Sequence, residues 1–423
     1  MKNLFIFLLS ALFITGCVND GFEEIAVQEK NQQEVVDSFY VSYETALKYA
    51  RNVLADTMQT RVAARSVANH YEYVANKITR SANDDVEVRF HVINFDDNQG
   101  FALVSADSRT TPVYAYSETG NIDIDNAIEN SGFADFMDAA IEYYIMETGL
   151  EDSIGGQLLP KDPTLPLTPV PTNPIQLLPT VQIDGVNYYS ESSTMIIKNA
   201  GGVLLNVEWD QCFPYSYYCG ENSNGYNAAG CGPIAAAQIM SYFKYPLSYG
   251  GYTFDWEGIT STTSFSYLSN AAMSAARLIN LIGISAGANY GVETMTKIND
   301  MDDMFRSFGY SCSGPEDYEV SKIKESLNSY SPIYFRASEP GADAGHAWVI
   351  DAYKQTIINS TYYHSYEPFD VYITTTSYGE MYYHCNWGWG GTYNAWCLDV
   401  FKISNVCELS KNRRMIYNIK PNN

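Results

Sequence analysis

The residues in this chain that could do nucleophilic chemistry begin with Cys231. It stands in Gly230-Cys231-Gly232-Pro233, a short loop of small residues that runs directly into an apolar segment ending at Phe243. Cys231, Ala235, Ile239 and Tyr242 recur at helical spacing, and Pro233 suits a first turn, where its missing N–H costs no helical hydrogen bond. A thiol at the start of a buried helix meets unpaired N–H groups and the positive end of the helix dipole, which favour the thiolate. A small cysteine filling space beside glycines is the plainer account of the same residues. Its partners must decide.

A nucleophilic thiol needs a base, a group that orients the base, and donors for the oxyanion. His346, His364 and His384 are the histidines of the C-terminal half. His364 lies in the polar stretch 359–368 and reads as a surface loop residue, whereas His384 sits inside a strand and reads as structural. His346 is favoured as base, because it follows the glycine-containing loop 339–345 and opens the apolar strand Ala347-Trp348-Val349-Ile350. In His384-Cys385-Asn386-Trp387-Gly388-Trp389-Gly390-Gly391, Asn386 offers an amide oxygen to orient the imidazole. Trp387 would cover that pair and exclude water, although core packing also accounts for tryptophans beside glycines. The Cys231 N–H and the Gln211 side-chain amide are the candidate oxyanion donors.

Taken together, Trp209-Asp210-Gln211, Gly230-Cys231, Ala236-Ala237-Gln238-Ile239-Met240, Gly345-His346-Ala347-Trp348 and Asn386-Trp387-Gly388-Trp389-Gly390-Gly391 resemble the streptopain family of cysteine peptidases. The stretch 100–107, Gly-Phe-Ala-Leu-Val-Ser-Ala-Asp, with Pro112 and Tyr116-Ser117, is similar to the propeptide domain of that family. The resemblance implies a papain-like fold, synthesis as a zymogen with its own propeptide as inhibitor, and cleavage of proteins or peptides, often after an apolar residue at the second position before the cut. It also implies that Cys231 is nucleophile, His346 base, Asn386 orienter, Gln211 oxyanion donor and Trp387 the cover of the His–Asn pair. Gly232-Pro233 after the nucleophile, the additional cysteines and a long proline-rich linker depart from the simplest members. A catalytically silent surface lipoprotein using the same fold for binding is the alternative, and acyl transfer to an amine a third reading.

The elements that must position these residues are legible in outline. Residues 18–150 read as a small α+β domain, with helices at 38–58 and 132–148 and strands at 86–94, 101–105 and 113–116; His70 and His91 read as surface residues. Seven prolines between 160 and 179 mark an extended interdomain segment, so that 151–200 is read as linker and maturation region. From 201 to 423 a strand at 203–209 precedes helices starting at 231, 271, 295 and 321. Strands follow at 333–337, 346–353, 369–374, 380–386, 395–403 and 415–419. Helices first and an antiparallel sheet after make an α+β fold class.

The chain has 423 residues, a net charge of −24 and only 25 Lys and Arg, with no basic run, which argues against nucleic acid and against electrostatic docking on anionic lipid. Met1-Lys2-Asn3 precedes an apolar run over 4–14, too short to span a bilayer. The run ends in Ile14-Thr15-Gly16-Cys17, which resembles the lipobox of bacterial lipoproteins, so 1–17 is read as a signal peptide with Cys17 lipidated and membrane contact through the lipid alone. The expected location is the outer membrane or cell surface, or release as a secreted mature domain. Setting aside Cys17 and Cys231, Cys212, Cys219, Cys312, Cys385, Cys397 and Cys407 remain. In an exported chain an even set can form three bridges, in fifteen possible connectivities. No CxxC pair or paired His spacing points to a metal, and no cofactor is expected.

Overall fold

The computed structural model describes residues 39–55, 65–78, 85–124, 132–148, 181–183, 186–223, 225–338, 345–366, 369–401 and 412–422. The Cys17 and Cys407 assignments, and the proline-rich stretch, lie outside them.

The N-terminal unit is an antiparallel meander, β1 (Val67–Ile78), β2 (Asp85–Phe95), β3 (Phe101–Ser105) and β4 (Val113–Ser117). A helix covers each face. Side chains alternate across a strand, so Phe90 and Val92 of β2 and Phe101 and Leu103 of β3 pack with α2 (Gly132–Thr148). Ile93, Phe95, Ala102 and Val104 pack instead with Ala46, Ala50 and Leu54 of α1 (Tyr43–Ala55). His91 falls on the α1 side and is fully buried, with Nε2 2.6 Å from the Val41 carbonyl and Nδ1 3.0 Å from His70 Nε2. This corrects the surface assignment of His91. Strand β1 was not anticipated, because as an edge strand it leaves Val74 exposed and lacks a clean alternation.

The C-terminal unit sets a helical layer, α3 (Cys231–Phe243), α4 (Asn270–Ser285) and α5 (Ile298–Ser307), against strands β6 (Tyr310–Asp317), β7 (Ile333–Ser338), β8 (Gly345–Tyr366), β9 (Phe369–Asn386), β10 (Ala395–Leu398) and β11 (Asn412–Pro421), with α6 (Val320–Asn328) preceding β7. The strand order is β1-β2-β3-β4-β10-β9-β8-β7-β11-β6, so both units share one sheet. The junction is β4 on β10, with Tyr116 opposite Trp396 and Ala115 opposite Cys397. One apolar core also runs through both, joining Phe90, Tyr114 and Phe133 to Phe335, Trp348 and Trp387.

Three expectations change here. The 151–200 linker is too long, because β5 (Val186–Lys198) pairs along β8, which a Val-, Tyr- and Ile-containing run sustains. His364 stands in the β8–β9 ladder opposite Val371 rather than in a loop. Residues 203–209 form no strand; their amides are met by side chains as well as backbone, Leu205 N–H by Asp351 Oδ2 (3.1 Å) and Trp209 N–H by Gln238 Oε1 (2.9 Å). Such bonds satisfy buried donors without a ladder.

Phe335 is fully buried between Trp348 (4.9 Å between ring centroids) and Phe401 (5.4 Å). Phe335→Ala should lower stability by about 3–5 kcal/mol, read as a fall in the thermal or urea unfolding midpoint of the full chain. An unchanged midpoint would show that this aromatic cluster does not hold the core.

Candidate active site

Cys231 is the first residue of α3. Gly230 caps the helix at φ +92°, a conformation that favours glycine, and Ile234 N–H bonds back to the Gly230 carbonyl at 3.1 Å. Pro233 therefore sits in the first turn, where no backbone partner is lost. A side chain at Gly232 would strike Thr296 Oγ1 at 2.3 Å, and one at Gly230 would meet Thr294 Cγ2 at 2.8 Å. The glycines thus let the segment before α5 close on the thiol loop.

His346, near the start of β8, is buried and shares a side-chain hydrogen bond with Cys231. The next residue contributes too, as Ala347 N–H donates to Cys231 Sγ at 3.4 Å. His346 Nε2 lies 3.3 Å from the main-chain carbonyl of Trp387. A carbonyl can only accept, so Nε2 carries the hydrogen and Nδ1 keeps a lone pair for the thiol proton. Burial alone would push the Cys231 thiol up, but the His346 imidazole, the Ala347 N–H and the Arg336 charge outweigh it and hold the thiol below its ordinary 9.0. Burial likewise pulls His346 down, and the thiolate, the Asp135 carboxylate and the Trp387 carbonyl more than reverse it, to above 6.5. Each group raises the charge of the other, which is the condition for a thiolate–imidazolium pair.

The other expected residues divide. Asn386 is buried, but its Oδ1 accepts from Gln238 Nε2 and from Gly388 N–H (both 3.2 Å) and its Nδ2 donates to the Val207 carbonyl (2.8 Å). The hydrogen-bond partner of His346 Nε2 is thus the Trp387 carbonyl, one residue along from the Asn386 side chain. The Trp387 ring is fully buried, 5.2 Å from Trp348 by centroid, with Nε1 donating to the Tyr393 carbonyl at 2.7 Å. Gln211 is buried and its carbonyl accepts from Ala229 N–H at 2.8 Å, which ties it two residues before the nucleophile. Its side-chain amide has no hydrogen-bond partner among the described residues. His384 is structural, with Nδ1 2.6 Å from Asp351 Oδ1.

Sequence reasoning missed Gly132, Asp135 and Arg336. A Cβ at Gly132 would lie 2.5 Å from Trp387 Cε3 and 2.9 Å from His346 Cδ2, so the first turn of α2 rests on His346 and Trp387. Phe133 adds an edge contact to Trp387 at 6.2 Å. No local pattern announces such a contact, because it depends on docking of the two units. The three-bridge reading also changes, since Cys212, Cys219, Cys231, Cys312, Cys385 and Cys397 are all free thiols. Cys212 and Cys312 interact with Asp210 and Asp302 instead, Cys219 with Tyr290, and among the described cysteines only Cys385 and Cys397 meet one another.

The chain is similar to known proteins over both units. Residues 209–397 match the Peptidase C10 family and residues 38–144 match Spi protease inhibitor. Streptopain of Streptococcus pyogenes is 25% identical over 330 residues, spanning 69% of each chain. The thiol protease/hemagglutinin PrtT of Porphyromonas gingivalis is 22% identical over 339 residues, 73% of this chain and 33% of that protein. The fold is also that of a prointerpain A fragment of Prevotella intermedia, at a TM-score of 0.51 and 18% identity, over 82% of this chain and 98% of the fragment.

Burial and neighbouring carboxylates push Cys212 and Cys312 up to about 11 and about 12, and burial takes Cys219 to about 11. At neutral pH iodoacetamide should therefore label Cys231 ahead of the others, with a midpoint below 9.0 that rises in His346→Ala. Peptide mass mapping across a pH series reads this, and an unmoved midpoint would remove His346 as the partner.

Proposed function

We propose that the chain is a streptopain-family cysteine peptidase made as a zymogen, and that it cleaves peptide bonds through a thioester on Cys231 with His346 as base. The observation that carries the assignment is the geometry that brings Ala347 N–H to 3.4 Å from Cys231 Sγ and His346 Nε2 to 3.3 Å from the Trp387 carbonyl, which fixes the tautomer. Cys231 Sγ attacks the scissile carbonyl carbon while the oxyanion is met by the Cys231 N–H at the start of α3 and by the Gln211 amide. The imidazolium of His346 gives its proton to the departing amine. Neutral His346 then takes a proton from water, whose oxygen attacks the thioester and returns the thiol. Asn386 acts as a brace, joining the Trp387 loop to Gln238 and Val207.

The propeptide inhibits by resting on the base. Gly132 and Phe133 crowd the His346–Trp387 pair, and the Asp135 carboxylate favours its charged form. Export as a lipoprotein anchored through Cys17, at the outer membrane or cell surface, is part of the same proposal and is supported by the sequence over 4–17.

Cys231→Ala should reduce hydrolysis of a protein substrate by at least about a thousandfold, and an active variant would sink the mechanism. Gly132→Val should raise the basal activity of the uncut chain, because a branched side chain cannot occupy the space beside Trp387 and His346. Basal activity equal to the parent chain would show that α2 does not restrain the base.

A further inference from the structure

Helix α3 carries the nucleophile at its first residue and a buried amide further along. Gln238 is fully buried, in a helix whose residues from 232 to 241 are all buried and mostly apolar. It follows Cys231 by two turns, so the two side chains leave nearly the same face, about 10 Å apart along the axis. A buried amide is costly unless it is hydrogen-bonded. Here its partners belong to the two segments that flank the thiol.

The directions of these bonds are fixed from both ends. Trp209 N–H can only donate, so the atom it meets at 2.9 Å is Gln238 Oε1. Gln238 Nε2 therefore faces Asn386, 3.2 Å from an atom that must be the acceptor Oδ1. The other end of Asn386 agrees, because its Nδ2 lies 2.8 Å from the Val207 carbonyl, which can only accept. Asn386 Oδ1 also accepts from Gly388 N–H at 3.2 Å, an Asx turn closed around Trp387. That N–H and the Trp387 carbonyl belong to one planar peptide group. The carbonyl in turn accepts from His346 Nε2 at 3.3 Å. An unbroken path of hydrogen bonds thus leads from Gln238, through Asn386 and one peptide, to the base.

A second arm leaves the same side chain. Trp209 stands two residues before Gln211, whose carbonyl accepts from Ala229 N–H at 2.8 Å. The Trp209 carbonyl accepts from Gly390 N–H at 3.0 Å, so the two arms are also joined to each other. We propose that Gln238 is the positioning residue that registers both the base-holding peptide and the oxyanion segment on the helix of the nucleophile. The inference rests on the peptidase reading above and deepens it, by assigning the alignment of three separate segments to one amide. Sealed from solvent, Gln238 acts only through Asn386 and Trp209.

Two substitutions take the arms apart. Gln238→Leu removes both bonds. Gln238→Glu keeps an acceptor for Trp209 N–H but sets a second acceptor against Asn386 Oδ1. Protonation of the introduced carboxyl restores the donor, and burial raises the pH at which that happens. Each variant is made as the full-length chain, activated by limited proteolysis and assayed below its unfolding temperature on one fluorescence-quenched casein peptide. Gln238→Leu should lower kcat about a hundredfold with KM unchanged, and should raise the iodoacetamide midpoint of Cys231. Gln238→Glu should show a comparable loss at about pH 8 and recover, relative to the parent at each pH, towards about pH 5. If Gln238→Leu does not fold, the pH series of Gln238→Glu decides alone. An unmoved Cys231 midpoint with unchanged kcat, a rise in KM at constant kcat, or a Gln238→Glu deficit equal at every pH overturns the positioning role. The alkylation midpoint needs no substrate. A parent chain that cuts no peptide, while that midpoint still moves in Gln238→Leu, upholds the positioning role and overturns the peptidase reading instead.

Discussion

The Ala347 N–H aimed at Cys231 Sγ is the point at which helix α3 and strand β8 must be held together. The thiol comes from the helical layer and the base from the sheet, so neither element alone contains the site. Their relative position is kept by apolar packing, with Ile234, Ala235, Ile239, Ala347 and Val349 in one cluster. A slide of one residue along β8 would turn His346 away, since alternate residues face opposite sides. The alternation at the start of this strand therefore decides whether a buried thiol and a buried imidazole meet or remain inert.

Around that contact, backbone does work that side-chain inspection assigns elsewhere. The Trp387 carbonyl is a better-fixed acceptor than an amide side chain, because Trp387 N–H is tied to Asn394 Oδ1 at 3.1 Å and its indole to Tyr393. Asn386 serves the same end indirectly, linking Gln238 on α3, Val207 and Gly388 in one buried network. Gly390 N–H adds a bond to the Trp209 carbonyl at 3.0 Å. The segment before Gln211 and the loop after β9 are thus laced to each other, and the irregular backbone over 204–210 is as determined as a strand would be.

Cys231 and His346 were legible in the sequence because each combines a chemical type with a local pattern, a helix start for one and a loop-to-strand step for the other. The same holds for α2, β3 and the strand carrying Phe335, whose periodicity is short-range. What escaped depends on assembly. Asn386 and Trp387 are neighbours in sequence, and only the turn of the chain decides which of them faces the imidazole. His91 looked exposed because its alternation places it among polar residues of β2, yet α1 covers that face. The cysteines suggested bridges by number, but geometry sets bridges, and among the described cysteines only one pair comes into contact. Arg336 and Gly132 carry no motif; each matters through what docks against it.

The shared sheet has a kinetic consequence. Two residue pairs, Tyr116 with Trp396 and Ala115 with Cys397, together with the common core, hold the inhibitory unit to the enzyme while the chain is intact. In that state the inhibitor's effective concentration is set by the tether and does not change with dilution. A cut between residues 148 and 186 leaves every one of these contacts in place but makes their reformation bimolecular. From then on the fraction of free enzyme depends on how dilute the protein is. By that arithmetic a cleaved molecule would be held closed where it is crowded and released where it has spread.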